Sequence, residues 1–130
     1  MLTEVQSSAH VWQSLEIELK RHINGYLFLT RVGGILVDPP SAAEPVLAQI
    51  EAFGKPRAII VTGRNQERRS RQYQGWYKAK VFAPEADRKR LRITADHYFR
   101  TGESLPGGFK SIILPHQRTP GETVLFHEKA

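Results

Sequence analysis

The sequence predicts an α/β domain with a mixed β-sheet and flanking helices, and three observations carry that prediction. Two apolar runs, "GYLFLT" and "GILVDPP", rich in aromatic and branched residues, stand on either side of "RVG", which is the pattern of a β-hairpin. The next stretch has helical periodicity, with Val46, Leu47, Ile50 and Phe53 on one face. After it comes "RAIIVT", a short unbroken apolar run of the kind found in strands covered on both sides. The order strand, helix, strand predicts a right-handed crossover between parallel strands.

Ahead of the hairpin, "HVWQ" (His10 to Gln13) and "IELK" (Ile17 to Lys20) read as short strands. In the hairpin, Gly33 and Gly34 are expected to supply the positive φ of the turn. The helix is expected to open on Ser41 as N-cap, with Glu44 three residues on as in a capping box and Pro45 in its first turn, and to stop at Gly54. Beyond Thr62 a loop leads into a helix ending near Gly75, followed by "KVFA" as a strand. "PEADRKRL" reads as a short helix from Pro84, "HYFR" and "FKSIILP" as strands joined through "TGESLPGG", and "ETVLFH" as the last strand. Tyr73, Trp76, Tyr77 and Phe82 gather at a helix-to-strand junction, where aromatic residues form core; stacking of bases beside arginines is the other reading. No repeat or linker divides the chain, so residues 1–130 are expected to form one domain.

There is no cysteine, which excludes disulfides and thiolate metal sites. No apolar run is long enough to span a membrane, and the first twenty residues carry Glu4, His10, Glu16 and Glu18 without an apolar signal core. A cytoplasmic protein with no membrane partner is expected. The net charge of +6 is uneven: from Lys55 to Arg92 twelve bases face three acids, a net of +9, which leaves −3 for the remainder. A basic middle attracts polyanions, but charge of this kind also forms the solvated faces of helices, and nucleic acid is not expected as a partner.

No serine sits in a nucleophile-elbow setting and no glycine-rich phosphate loop is present. The five histidines, His10, His22, His97, His116 and His127, lack the paired spacing of metal ligands, and Asp96 and His97, as neighbours on a strand, point to opposite faces. In α/β folds ligands bind beyond strand ends. Three such places are Asp38 after "GILV", the stretch after Thr62, and "LPHQRTPGET" after "SIIL".

Taken together, "NGYLFLTRVGGILVDPP", a helix, a strand ending in "VTGRNQER", the strand "AKVFAPEAD" and "GESLPGGFKSIILPHQRTPGETVLFH" resemble the amino-terminal half of the metallo-β-lactamase fold, an αβ/βα sandwich, over roughly Val11 to His127. The resemblance implies a metal loop of the form Thr-His-x-His-x-Asp-His. Here Thr62 matches, but Gly63 and Asn65 stand at the first two histidines, Glu67 at the aspartate and Arg68 at the last histidine. In the later Pro-Gly-His motif, Pro115, Pro120 and Gly121 match, Gln117 stands at the ligand histidine and His116 falls one place early. Asp38 matches an aspartate that supports the metal loop from behind, and Thr62 and His116 are grouped with it.

Glycine donates nothing to zinc, arginine is a fixed cation, and neutral amides are poor ligands. No catalytic residue and no metal cofactor are therefore expected, because without the metal the family's hydrolytic water is not activated. His116 and Glu67 together would supply only two donors. In one reading of the replaced loop, Arg64, Arg68 and Arg69 bind a carboxylate or phosphate, with Asn65 and Gln117 as neutral donors. In the other, the arginines are solvated and Glu67 pairs with Arg71 at i, i+4. The resemblance also implies a second half, so a chain truncated after the first half is expected to expose the inner face of its sheet and to need a homodimer or another protein partner to cover it. The function expected is a non-catalytic binding or assembly protein. The alternatives are a zinc-dependent hydrolase of the superfamily with a rearranged site and a basic nucleic-acid-binding module.

Overall fold

The structure is a computed structural model and describes residues 1–6, 8–16, 20–115 and 119–127. Seven strands form one sheet: β1 (Thr3–Gln6), β2 (Ala9–Glu16), β3 (Arg21–Thr30), β4 (Gly33–Val37), β5 (Ala58–Ile60), β6 (Lys80–Pro84) and β7 (His97–Phe99). Their spatial order is their chain order. Pairing is antiparallel from β1 to β4 and parallel from β4 to β7, so the sheet is mixed, as the sequence predicts. Helix α1 (Glu44–Ala52) connects β4 to β5, and α2 (Ser70–Tyr77) connects β5 to β6. A second sheet joins β8 (Ser104–Leu105), β9 (Phe109–Ile113) and β10 (Thr123–His127) in the order β10, β9, β8. No helix among the described residues is long and apolar enough to cross a membrane.

The unbroken apolar runs are explained by two cores, one on each face of the large sheet. Side chains alternate along a strand, so Leu36 and Ile59 point one way and Ile35, Val37 and Ile60 the other, and all five are buried. On the helix side Leu36 and Ile59 pack with Val46, Ile50 and Tyr73. On the far side Ile35 and Ile60 pack with Phe99, Leu105 and Phe109 of the smaller sheet, and Phe28 meets Phe109 edge-to-face at 5.0 Å. Full burial of an Ile59-sized side chain contributes about 1.5–3 kcal/mol, so the central strands anchor the loops at their ends.

The inner face expected to be bare is thus covered in part by β8 to β10. Apolar surface is open on the outer side of that smaller sheet, where Ile112 (43% exposed) pairs with Val124 (46%) and Phe126 (50%) lies one pleat further on.

Local details differ from the sequence expectations for physical reasons. "HVWQ" is the middle of an eight-residue strand, whose pairing with β3 carries it to Glu16; "IELK" lies mostly outside the described residues. In the hairpin only Gly33 of the two glycines has positive φ (112°), directly after a two-residue turn at Arg31 and Val32, while Gly34 already lies in the ladder opposite Leu29. Ser41 is no helix cap: its hydroxyl bonds that of Ser14 at 2.7 Å, Ala43 takes the N-cap position, and Glu44 is the first helical residue. Phe53 lies at the C-cap, half exposed, against the His10 ring at 5.0 Å, while Gly54 closes the helix at φ 100°. Helix α2 runs past Gly75 to Tyr77, with Tyr73 packing on Tyr77 and Trp76, and Lys78 takes the left-handed cap at φ 54°. A lone glycine inside a helix costs only about 1 kcal/mol, which those ring contacts offset. "PEADRKRL" is helical from Glu85 to Arg90, as a 3-10 turn.

Candidate functional site

The ends of β4 and β5 place Asp38 and Thr62 side by side. The Thr62 amide donates to Asp38 Oδ1 at 2.8 Å and its hydroxyl donates to Oδ2 at 2.5 Å, while the Asp38 amide donates to the Ile60 carbonyl at 3.0 Å. Asp38 is buried and adopts a left-handed backbone (φ 47°). Burial pushes its carboxyl up to about 6, against the opposing pull of the two Thr62 hydrogen bonds and the nearby Arg68 charge.

Arg68, also left-handed at φ 49°, turns its guanidinium back onto the strand ends. One Nη donates to the Asp38 carbonyl at 2.7 Å and to the Asn24 carbonyl at 2.8 Å. The Arg69 amide bonds the Pro39 carbonyl at 3.1 Å, and the Tyr73 hydroxyl donates to the Pro40 carbonyl at 2.6 Å, so the loop before α1 and the loop before α2 are laced together.

Glu67 points elsewhere. Its two carboxylate oxygens accept from the amides of Arg92 and Ile93, both at 2.9 Å, and not from Arg71. Gly63 is buried in extended backbone, Asn65 is exposed, and Arg69 has an exposed side chain. Arg64 is drawn inward to Asp87, a fully buried carboxylate: the Arg64 amide donates to Oδ2 at 2.9 Å, and its guanidinium meets Oδ1 at 3.0 Å through Nε and at 2.9 Å through Nη2. The Gly121 amide donates to the same Oδ1 at 3.2 Å. A further bond, from the Thr123 amide to the Thr62 carbonyl at 2.8 Å, joins β10 to the loop.

The structure therefore brings Asp38, Thr62 and Arg68 into one group, sets Arg64 on Asp87, and directs Glu67 to a third place. His116 and Gln117 lie outside the described residues. Asp87 is the residue that sequence reasoning missed. Its place in the charged run "EADRKR" resembles an exposed helix face, and its partners stand 23 and 34 residues away in sequence.

As a place for a metal, the loop after β5 has an unsuitable donor set. Gly63 has no side chain, both Glu67 oxygens hold backbone amides, and Arg68 is cationic. Among the described residues no three His, Cys, Asp or Glu side chains gather where they could hold a metal ion.

A family model described as "Metallo-beta-lactamase superfamily" matches residues 4–130. No curated protein matches the chain in sequence. Among solved structures, a Cronobacter sakazakii metallo-β-lactamase described by a HARLDQ motif is 18% identical with a TM-score of 0.74, over 95% of this chain and 58% of its own. The metallo-β-lactamase IND-7 is 16% identical with a TM-score of 0.78, over 99% of this chain and 66% of its own. TTHA1623, solved in a di-iron-bound form, is 20% identical with a TM-score of 0.71, over 91% of this chain and 67% of its own. This chain thus spans less than two thirds of the length of the first two.

Proposed function

Because the chain belongs to the metallo-beta-lactamase superfamily, we propose that it is a non-catalytic member that acts by binding or assembly, without a resident metal. The observation that carries this reading is the use made of the loop after β5. The carboxylate at a ligand position, Glu67, holds two backbone amides, and the cation at another, Arg68, holds two carbonyls, so the loop is built from bonds within the protein. A hydrolase of this superfamily needs a metal to activate water, and glycine, arginine and exposed asparagine offer it no adequate set of donors. Arg69 and the exposed Asn65 at the same loop are the groups available to an anionic ligand.

The partner is a second copy or another protein that covers the outer side of the smaller sheet, where Ile112, Val124 and Phe126 form an apolar patch. A cytoplasmic location belongs to the same proposal and is tested by cell fractionation.

Elemental analysis of the purified chain, followed by zinc and iron titration, tests the metal-free reading. No stoichiometric metal and no tight binding are expected. A full equivalent of metal retained through dialysis overturns the proposal in favour of a metal-dependent hydrolase with a rearranged site. Sedimentation tests the partner: a dimer is expected, and a monomer that unfolds cooperatively removes that part.

A further inference from the structure

Two segments far apart in sequence converge on one carboxylate. Asp87 has no exposed surface and accepts four contacts: the Arg64 amide, the Arg64 Nε, the Arg64 Nη2 and the Gly121 amide, between 2.9 and 3.2 Å. The fit around it is close. A Cβ placed on Gly121 would stand 2.2 Å from Asp87 Oδ2 and 2.8 Å from the Pro84 Cβ. The Arg64 side chain is itself only 24% exposed, so the pair is withdrawn from most of the solvent that would weaken it.

We infer that residues 63–64 and 121 form a carboxylate-binding cradle whose resident ligand is the chain's own Asp87, and that this internal anion ties together the two loops that a metal-binding relative would tie through its metal. The donor set is that of an anion site: two main-chain amides and a guanidinium fork, with no competing acid among the atoms that touch Oδ1 and Oδ2. Removing the carboxylate leaves a partly buried cation and two amides without an acceptor, which is the costly way to break such a pair. The emptied cradle should then accept a small free carboxylate. Formate suits Asp87→Ala, since the alanine methyl keeps the Cβ and formate supplies the missing carboxylate.

Thermal unfolding of the full chain tests this, whether or not a partner exists. Asp87→Ala is expected to lower Tm by roughly 10 °C or more. Added formate should restore part of that loss with saturation, chloride at matched ionic strength should not, and an Arg64→Met/Asp87→Ala double variant should lose the rescue. The unmodified chain should keep its Tm in chelator and in equimolar zinc. Identical responses to formate and chloride, an unchanged Tm in Asp87→Ala, or stabilisation of the unmodified chain by zinc would overturn the inference. If Asp87→Ala does not fold, a double-mutant cycle of Asp87→Asn and Arg64→Gln decides: coupled Tm losses support the cradle, and additive losses overturn it.

Discussion

Thr62 holds both oxygens of the Asp38 carboxylate, one through its amide at 2.8 Å and the other through its hydroxyl at 2.5 Å. This joins the ends of two parallel strands at the root of the loop after β5.

Burial raises the Asp38 carboxyl from 3.8 to about 6 on folding, so between those pH values the folded chain holds a proton that the unfolded chain has released. Asp38 therefore adds stability that is fully present below pH 3.8 and is lost as pH rises through about 6. Urea unfolding of the unmodified chain and of Asp38→Asn, compared across this range, should show the unmodified chain losing up to about 3 kcal/mol relative to the variant as pH rises. A difference that grows in the opposite direction would mean that the Thr62 and Arg68 contacts outweigh burial.

Two glycines near Asp87 should respond differently. A Cβ on Gly121 collides with Asp87 and Pro84, so Gly121→Ala should lose about 1–3 kcal/mol. Gly63 is extended, and its nearest neighbours to a new Cβ are Glu122 Cα at 3.7 Å and Asp87 Oδ2 at 3.9 Å. Gly63→Ala should therefore change stability by less than about 1 kcal/mol, and a gain would come from the unfolded chain's lost freedom. Denaturation midpoints check both.

Restoring the family's ligands, with Gly63→His, Asn65→His, Glu67→Asp, Arg68→His and Gln117→His, should create zinc affinity measurable by calorimetry. It should also weaken the apo protein. Arg68→His alone removes the charged donor from the Asn24 and Asp38 carbonyls and should lower stability by about 1–3 kcal/mol. If the fivefold variant binds no zinc, the correspondence between this loop and the metal loop is wrong.

Phe126→Ser should leave urea stability within about 1 kcal/mol, because the ring is half exposed, yet shift sedimentation toward the monomer. An unaltered sedimentation coefficient would place the partner on another surface.

The parts of the fold that are legible in the sequence are those whose signal is local. β4, β5 and α1 show in unbroken or periodic apolar runs, and their burial matches the reading. β1 is exposed along its whole length and β8 has two residues, so neither carries a pattern to read. Ser41 has the chemistry of a cap but finds Ser14, 27 residues away, and such competition is invisible without the fold. At the site, Asp38 and Thr62 stand out at strand ends. The Asp87 contacts with Arg64 and Gly121, and the hold of Glu67 on Arg92 and Ile93, are long-range pairings between charged or small residues that read locally as solvated surface.

In the large sheet, strand order and chain order coincide from β1 to β7. Each strand therefore emerges from the ribosome to find its neighbour already in place, and none must be threaded between two finished ones. The sheet grows at one edge only, in the direction of synthesis. Nascent chains stalled once β5 has cleared the ribosome should already protect the amides of β3 and β4 from hydrogen exchange, and uniform exchange until the full chain is released would show that assembly waits for the last strands.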